Sequence, residues 1–185
     1  VASMNFATSD GTALSSGTFK DFTAISSSLS IPAGQTTGTI SVNIDDGLYD
    51  EPDTQNFTVN LSNPGNVNLS DSSGTGSITD NDNPPTISIA TAEAFEASGP
   101  LNFTVALSLI SEKVVTTNWA TVNGGVANGV DFTGGSGGPI TFNAGDSSKT
   151  LAIASIDNST VCQGDRTFTV NLNTLVNASA GTTSI

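Results

Sequence analysis

Apolar and polar residues alternate with a period of two along most of this chain. Ile40, Val42 and Ile44 fall on one side of an extended segment and Ser41 and Asn43 on the other, and Phe57, Val59 and Leu61 alternate likewise with Thr58 and Asn60. Successive side chains of a strand point to opposite faces, so the pattern predicts strands with one buried face over 39–44 and 57–61. Residues 86–92, 101–109, 114–122 and 151–156 behave the same way, with Gly, Asn, Asp and Pro clusters between them. No stretch carries the apolar stripe of a helix. The expected fold class is all-β, built as antiparallel β-sandwiches.

The pattern also repeats. Phe57-Thr58-Val59-Asn60-Leu61 returns letter for letter as Phe168-Thr169-Val170-Asn171-Leu172 (168 − 57 = 111), and Ala33-Gly34 returns at the same spacing as Ala144-Gly145. Asp21-Phe22-Thr23 matches Asp131-Phe132-Thr133, and Asn5-Phe6-Ala7-Thr8 resembles Asn118-Trp119-Ala120-Thr121. A period of this length implies two tandem domains, which we place at 1–83 and 84–185. The copies are not equally complete. Upstream of Asn118-Trp119-Ala120 the second copy has two strands that the first lacks, and the segment 181–185 reads as the counterpart of 75–78, just short of a terminal acidic cluster. A half-sandwich of this kind has unpaired edges and an apolar groove. Two origins fit it: a stretch cut from a longer array of repeats, or a subunit completed by a neighbouring copy.

Composition narrows the chemistry. Lys and Arg total 4 against 17 Asp and Glu, a net charge of −13, so nucleic acid is not an expected partner and cations are. There is no His and a single Cys, Cys162, which excludes a His/Cys zinc site, a Ser-His-Asp triad and a Cys-His dyad within this sequence. No apolar run is long enough for a membrane-spanning helix, and the opening at Val1 reads as that of a processed or excised segment.

The acids gather where strands end. Asp45-Asp46 close the 39–44 strand, Asp50, Glu51 and Asp53 follow in a loop, and Asp80-Asn81-Asp82 leave the last strand of the first copy beside Pro84-Pro85. If both strands run the same way, these carboxylates meet at one pole and repel unless a hard cation shares their oxygens. Calcium takes six to eight oxygen ligands in flexible geometry and suits that demand better than magnesium. The competing reading is that they are solvated turn residues, which applies most readily to Asp50 and Asp53.

The order Asp21-Phe22-Thr23, then residues 32–46 (PAGQTTGTISVNIDD), then Glu51-Pro52-Asp53, then Phe57-Thr58-Val59-Asn60-Leu61-Ser62-Asn63-Pro64, then Gly76-Ser77-Ile78-Thr79-Asp80-Asn81-Asp82 resembles the Calx-beta repeat over nearly the whole chain. That family is named for the calcium-sensing domains of sodium/calcium exchangers and is common in large surface proteins. The resemblance implies immunoglobulin-like sandwiches with Ca2+ bound near the exit of the last strand. Carried over position by position, it makes Asp21, Asp45, Asp46, Glu51, Asp80 and Asp82 the ligands of the first copy. In the second it implies a weaker or empty site from Glu96, Asp131 and Asp157, because Ile156 stands where Asp45 stood and Gln163 where the loop Glu would be. Glu93 and Glu96 are also candidates to face the joint.

Other features carry less. Trp119 is expected in the core rather than as a sugar platform, Cys162 as a buried or free thiol rather than a bridge to another copy, and residues 134–138 (GGSGG) as a flexible connection rather than a phosphate loop. The expected function is a non-enzymatic, calcium-rigidified structural module of a secreted or cell-surface protein. Its partners would be neighbouring repeats or copies and, for an adhesin, surface glycans. The alternatives are a strand-exchanged filament subunit and, least favoured in a chain with 6% aromatics, a glycoside hydrolase using Asp46 and Glu51.

Overall fold

The computed structural model describes residues 1–95, 98–124, 129–158 and 164–185. It divides into two compact units, Val1–Asp82 and Asn83–Ile185. Among the described residues there is no helix, hence none long and apolar enough to cross a membrane.

The second unit is a two-layered sandwich. One sheet has the order β10-β7-β8, from Phe168–Val176, Val115–Asn123 and Ser136–Phe142. The other has the order β11-β5-β6-β9, from Ser179–Ala180, Thr86–Ile89, Leu101–Leu107 and Ser148–Ile153. Period-two alternation puts Phe103, Val105, Phe142, Ile153 and Val170 between the layers, each at most 4% exposed. All pairings are antiparallel except β11 with β5. Residues 179–185 touch both sheets: Ser179 and Ala180 pair with Thr86 and Ile87, and Thr183 and Ile185 then bond the backbone of Leu172 and Val170.

The first unit keeps one of these layers. Its sheet has the order β2-β1-β3-β4, from Ser26–Ile31, Ala2–Ser9, Thr54–Gly65 and Ser73–Thr79. The registers coincide: Phe6 faces Leu61 as Trp119 faces Leu172. Phe22 bridges Ile44 as Phe132 bridges Ser155, and the Phe22 ring stacks on Phe57 at 4.5 Å as Phe132 does on Phe168 at 4.0 Å.

Three expectations are corrected. Residues 39–44 form no strand; only Ile44 pairs, through its single bridge to Phe22. The counterpart, β9, is a strand because β6 lies against it, Phe103 opposite Leu151 and Leu101 opposite Ile153. Among the described residues of the first unit nothing plays the part of β6, and alternation without a ladder partner makes no strand. The closing register also shifts. Ser184 bridges Asn171 as Ser73 pairs with Asn60, so 181–185 correspond to 70–74 rather than 75–78. Finally, Ser136, Gly137 and Gly138 belong to β8 instead of a flexible link. A β-carbon on Gly137 would stand 3.2 Å from Trp119 Nε1, so glycine lets the indole lie against that strand while packing on the core.

Losing a layer leaves a small core. Ala13, Phe22 and Phe57 are buried together, with Val42, Val59 and Ile78 packed around them. Gly76 of β4 faces the Phe57 ring so closely that a β-carbon would overlap it. Gly76→Ala is therefore expected to destabilise the first unit by about 1–3 kcal/mol, an overpacking cost readable in its thermal melt, and to leave the second unit's melt unchanged.

Candidate metal centre

The acidic pole of the first unit is organised by Asp21. Its backbone N–H donates to Leu14 O at 2.8 Å, and its Oδ2 accepts from Leu14 N at 2.6 Å, closing the loop between them. The residue is 1% exposed, and its other oxygen, Oδ1, is buried with no hydrogen-bond partner. Such an orphaned acceptor costs about 1–3 kcal/mol, more when charged, unless something electropositive reaches it. Asp21 O accepts from Asp45 N at 2.9 Å, which fixes Asp45 beside it.

Asp45 Oδ2 meets Lys20 Nζ at 2.7 Å and accepts from Thr23 Oγ1 at 3.3 Å. The Lys20 hydrogen bond, working against desolvation, holds the Asp45 carboxyl below the usual aspartate range. Asp80 ties two segments together: Oδ2 accepts from Glu51 N at 3.3 Å, Oδ1 from Asp82 N at 3.2 Å, and its own N–H donates to Asp53 O. The Glu51 side chain reaches the 45–47 turn, with Oε1 3.8 Å from where Gly47 would carry a β-carbon.

Asp82 registers the crowding. Burial, then the negative charges of Asp80, Asp46 and Asp50, push its carboxyl above the usual aspartate range. The structure thus brings Asp46, Asp80 and Asp82 within electrostatic reach of one another, and Asp21 and Asp45 side by side through the backbone. Even so, among the described residues no three acidic side chains surround a common point as metal ligands would. Mutual repulsion works against that closure, since carboxylates at short range disfavour one another's charge. The donors are hard oxygens throughout, and with the orphaned Asp21 Oδ1 they fit calcium rather than a thiophilic metal.

Asp50, which sequence alone left as a turn residue, is 2% exposed and acts on Asp82. The available signal was Tyr49, the one aromatic in the acidic 45–53 loop. Its ring packs edge-on against Phe19 at 5.5 Å and folds the loop inward.

The second unit has the same frame with different contents. Ile156 N donates to Asp131 O at 3.0 Å, repeating the Asp45–Asp21 bond, but Asp131 Oδ1 accepts from Asn158 Nδ2 at 3.0 Å. An amide of the chain thus serves the carboxylate whose counterpart is orphaned in the first unit. Asp157 and Glu93 are exposed, while Glu96, Cys162 and Gln163 lie outside the described residues.

The raised Asp82 carboxyl fixes the sign of a pH effect. The folded state keeps this proton where the unfolded chain has lost it, so stability falls as pH climbs above about 4, the ordinary aspartate value. In chelator, the melting temperature of the first unit is expected to decline as pH rises above the ordinary aspartate range, and Asp82→Asn to flatten that decline. Asp45 contributes in the opposite sense, its stabilisation being lost only as pH falls through its lowered value.

Fold and pole together define a class: tandem β-sandwich repeats with an acidic, metal-suited tip on the leading copy. The Calx-beta domain matches residues 1–82 and again 80–183, and the chain belongs to the Calx-beta family. Among solved structures it is similar to the crystal structure of CBD12 from CALX1.2, at 23% identity and TM-score 0.47, covering 94% of this chain and 68% of that one. It is also similar to the crystal structure of calcium binding domain CBD12 of CALX1.1, at 24% identity and TM-score 0.45, with the same coverage of 94% and 68%. No curated protein sequence matches it.

Proposed function

We propose that this chain is a non-enzymatic calcium-binding structural module, divided at 83/84, whose first unit holds the ion with Asp21, Asp45, Asp46, Glu51, Asp80 and Asp82, joined by Asp50. The buried, unpartnered Oδ1 of Asp21 carries the reading, because a cation is what that oxygen and the crowded Asp82 both call for. Membership of the Calx-beta family supports it. The ion would supply charge neutralisation, tying the 14–21, 45–51 and 80–82 segments together. The second unit, with Asp131 served by Asn158, is the calcium-independent partner. We place the module outside the cell or on its surface, where calcium sites of about 10⁻⁴–10⁻³ M affinity are filled. There it would act beside neighbouring repeats in an extended or adhesive protein.

Calorimetric titration with calcium tests this. One binding event in that affinity range is expected, lost in the Asp80→Asn/Asp82→Asn double variant and kept in Asp131→Asn. Loss in Asp131→Asn alone would move the ion to the second unit and sink the assignment.

A further inference from the structure

Lys20 is the only Lys or Arg among residues 1–82, against ten acids, and it lies at the acidic pole. Its Nζ stands 2.7 Å from Asp45 Oδ2 and donates to Thr23 Oγ1 at 3.1 Å, while that hydroxyl donates to the same Asp45 oxygen. Lysine and a bound ion would therefore call on one carboxylate. The two copies differ here as a pair. The backbone bond from Asp45 to Asp21 recurs from Ile156 to Asp131, which aligns Lys20 with Val130. The second unit thus lacks the lysine where it lacks the aspartate, although Thr133 still stands in the place of Thr23. Val130 is left half-exposed at that position. Folding stability does not explain the pairing, because the two side chains are 37% and 40% exposed and ion pairs so wetted contribute little.

We propose, on the calcium reading of this pole, that Lys20 is a tethered competitor of the ion. Its ammonium occupies Asp45 until calcium displaces it, and so sets the calcium concentration at which the first unit fills. The chemistry of the side chain suits the part. An ammonium is a point charge on a flexible stem, able to swing away from a carboxylate without breaking a bidentate grip. A divalent ion brings twice its charge and takes several oxygens at once, so it wins Asp45 when the remaining acids of the pole join in. Until then Lys20 offsets part of their mutual repulsion.

Calorimetric titration of the intact chain with calcium chloride tests this on the wild type, Lys20→Gln and Lys20→Arg. Repulsion between a lysine charge and a divalent ion, damped by water and salt, predicts a Kd about three- to tenfold lower for Lys20→Gln. Lys20→Arg keeps the charge and grips a carboxylate with two N–H groups, so its Kd should not fall. The advantage of Lys20→Gln should shrink in about 1 M salt, where charges are screened beyond about 3 Å. The melt of the first unit separates competition from a structural role. Lys20→Gln should shift it little in chelator and raise it above the wild type in about 1 mM calcium. Equal Kd values for wild type and Lys20→Gln overturn the proposal while leaving the calcium site standing. So does a melt lowered equally in chelator and in calcium. Absence of binding in all three proteins removes the site itself, and the competitor with it.

Discussion

Calcium at about 10 mM is expected to raise the melting temperature of the first unit by about 6–20 °C, and Asp21→Asn to remove most of that rise. A ligand that binds only the folded state stabilises by RT ln(1 + [L]/Kd), about 1.4 kcal/mol at a tenfold and about 2.7 kcal/mol at a hundredfold excess over Kd. For a domain of this size each kcal/mol moves the midpoint by about 4–8 °C. Asn at position 21 keeps the acceptor that serves Leu14 N and removes the charge at the orphaned oxygen. The metal-free melt should therefore change less than the calcium-dependent rise. Differential scanning calorimetry with and without chelator reads both, and the second unit serves as internal control because Asn158 already satisfies Asp131. Equal melts with calcium and with chelator would show that the acids at this pole take no ion.

Phe22→Ala is expected to unfold the first unit outright, while Phe132→Ala leaves the second folded but weakened. Both rings are buried and both stack on a partner phenylalanine, so the deleted group is the same. Removing a buried phenylalanine ring costs about 3–5 kcal/mol, comparable to the whole stability of a small core. In the first unit Phe22 is one of the few fully buried side chains and also carries the bridge to Ile44 that holds the 37–44 segment down. In the second, Phe168 keeps Phe103 and the rest of a two-layer core around it. Circular dichroism and tryptophan fluorescence separate the outcomes, since Trp119 reports only on the second unit.

Much of this architecture was legible before any coordinates, because strand alternation and a letter-for-letter repeat are local signals. The matched stretches Phe57–Leu61 and Phe168–Leu172 do sit in corresponding strands with corresponding partners. What failed depended on partners distant in sequence. Residues 39–44 alternate as faithfully as β9, yet strand formation needs a ladder, and the alternation of one segment says nothing about whether another lies beside it. The glycine run at 134–138 read as slack because the ring that requires Gly137, that of Trp119, belongs to another strand. At the pole, charge clustering was visible as composition. The inward fold that buries Asp50 and the reciprocal bonding of Asp21 with Leu14 were not, since both arise from loop closure rather than periodicity.

The clasp made by residues 179–185 bears on how the second unit answers mechanical load. Ser179 N bonds Pro85 O at 2.9 Å, and β11 runs parallel to β5 from that point. A pull applied at Pro85 and at Ile185 drags these two neighbouring segments past each other lengthwise. Their bonds are then strained together in shear instead of being unzipped singly, so traction meets its first resistance where it enters the fold.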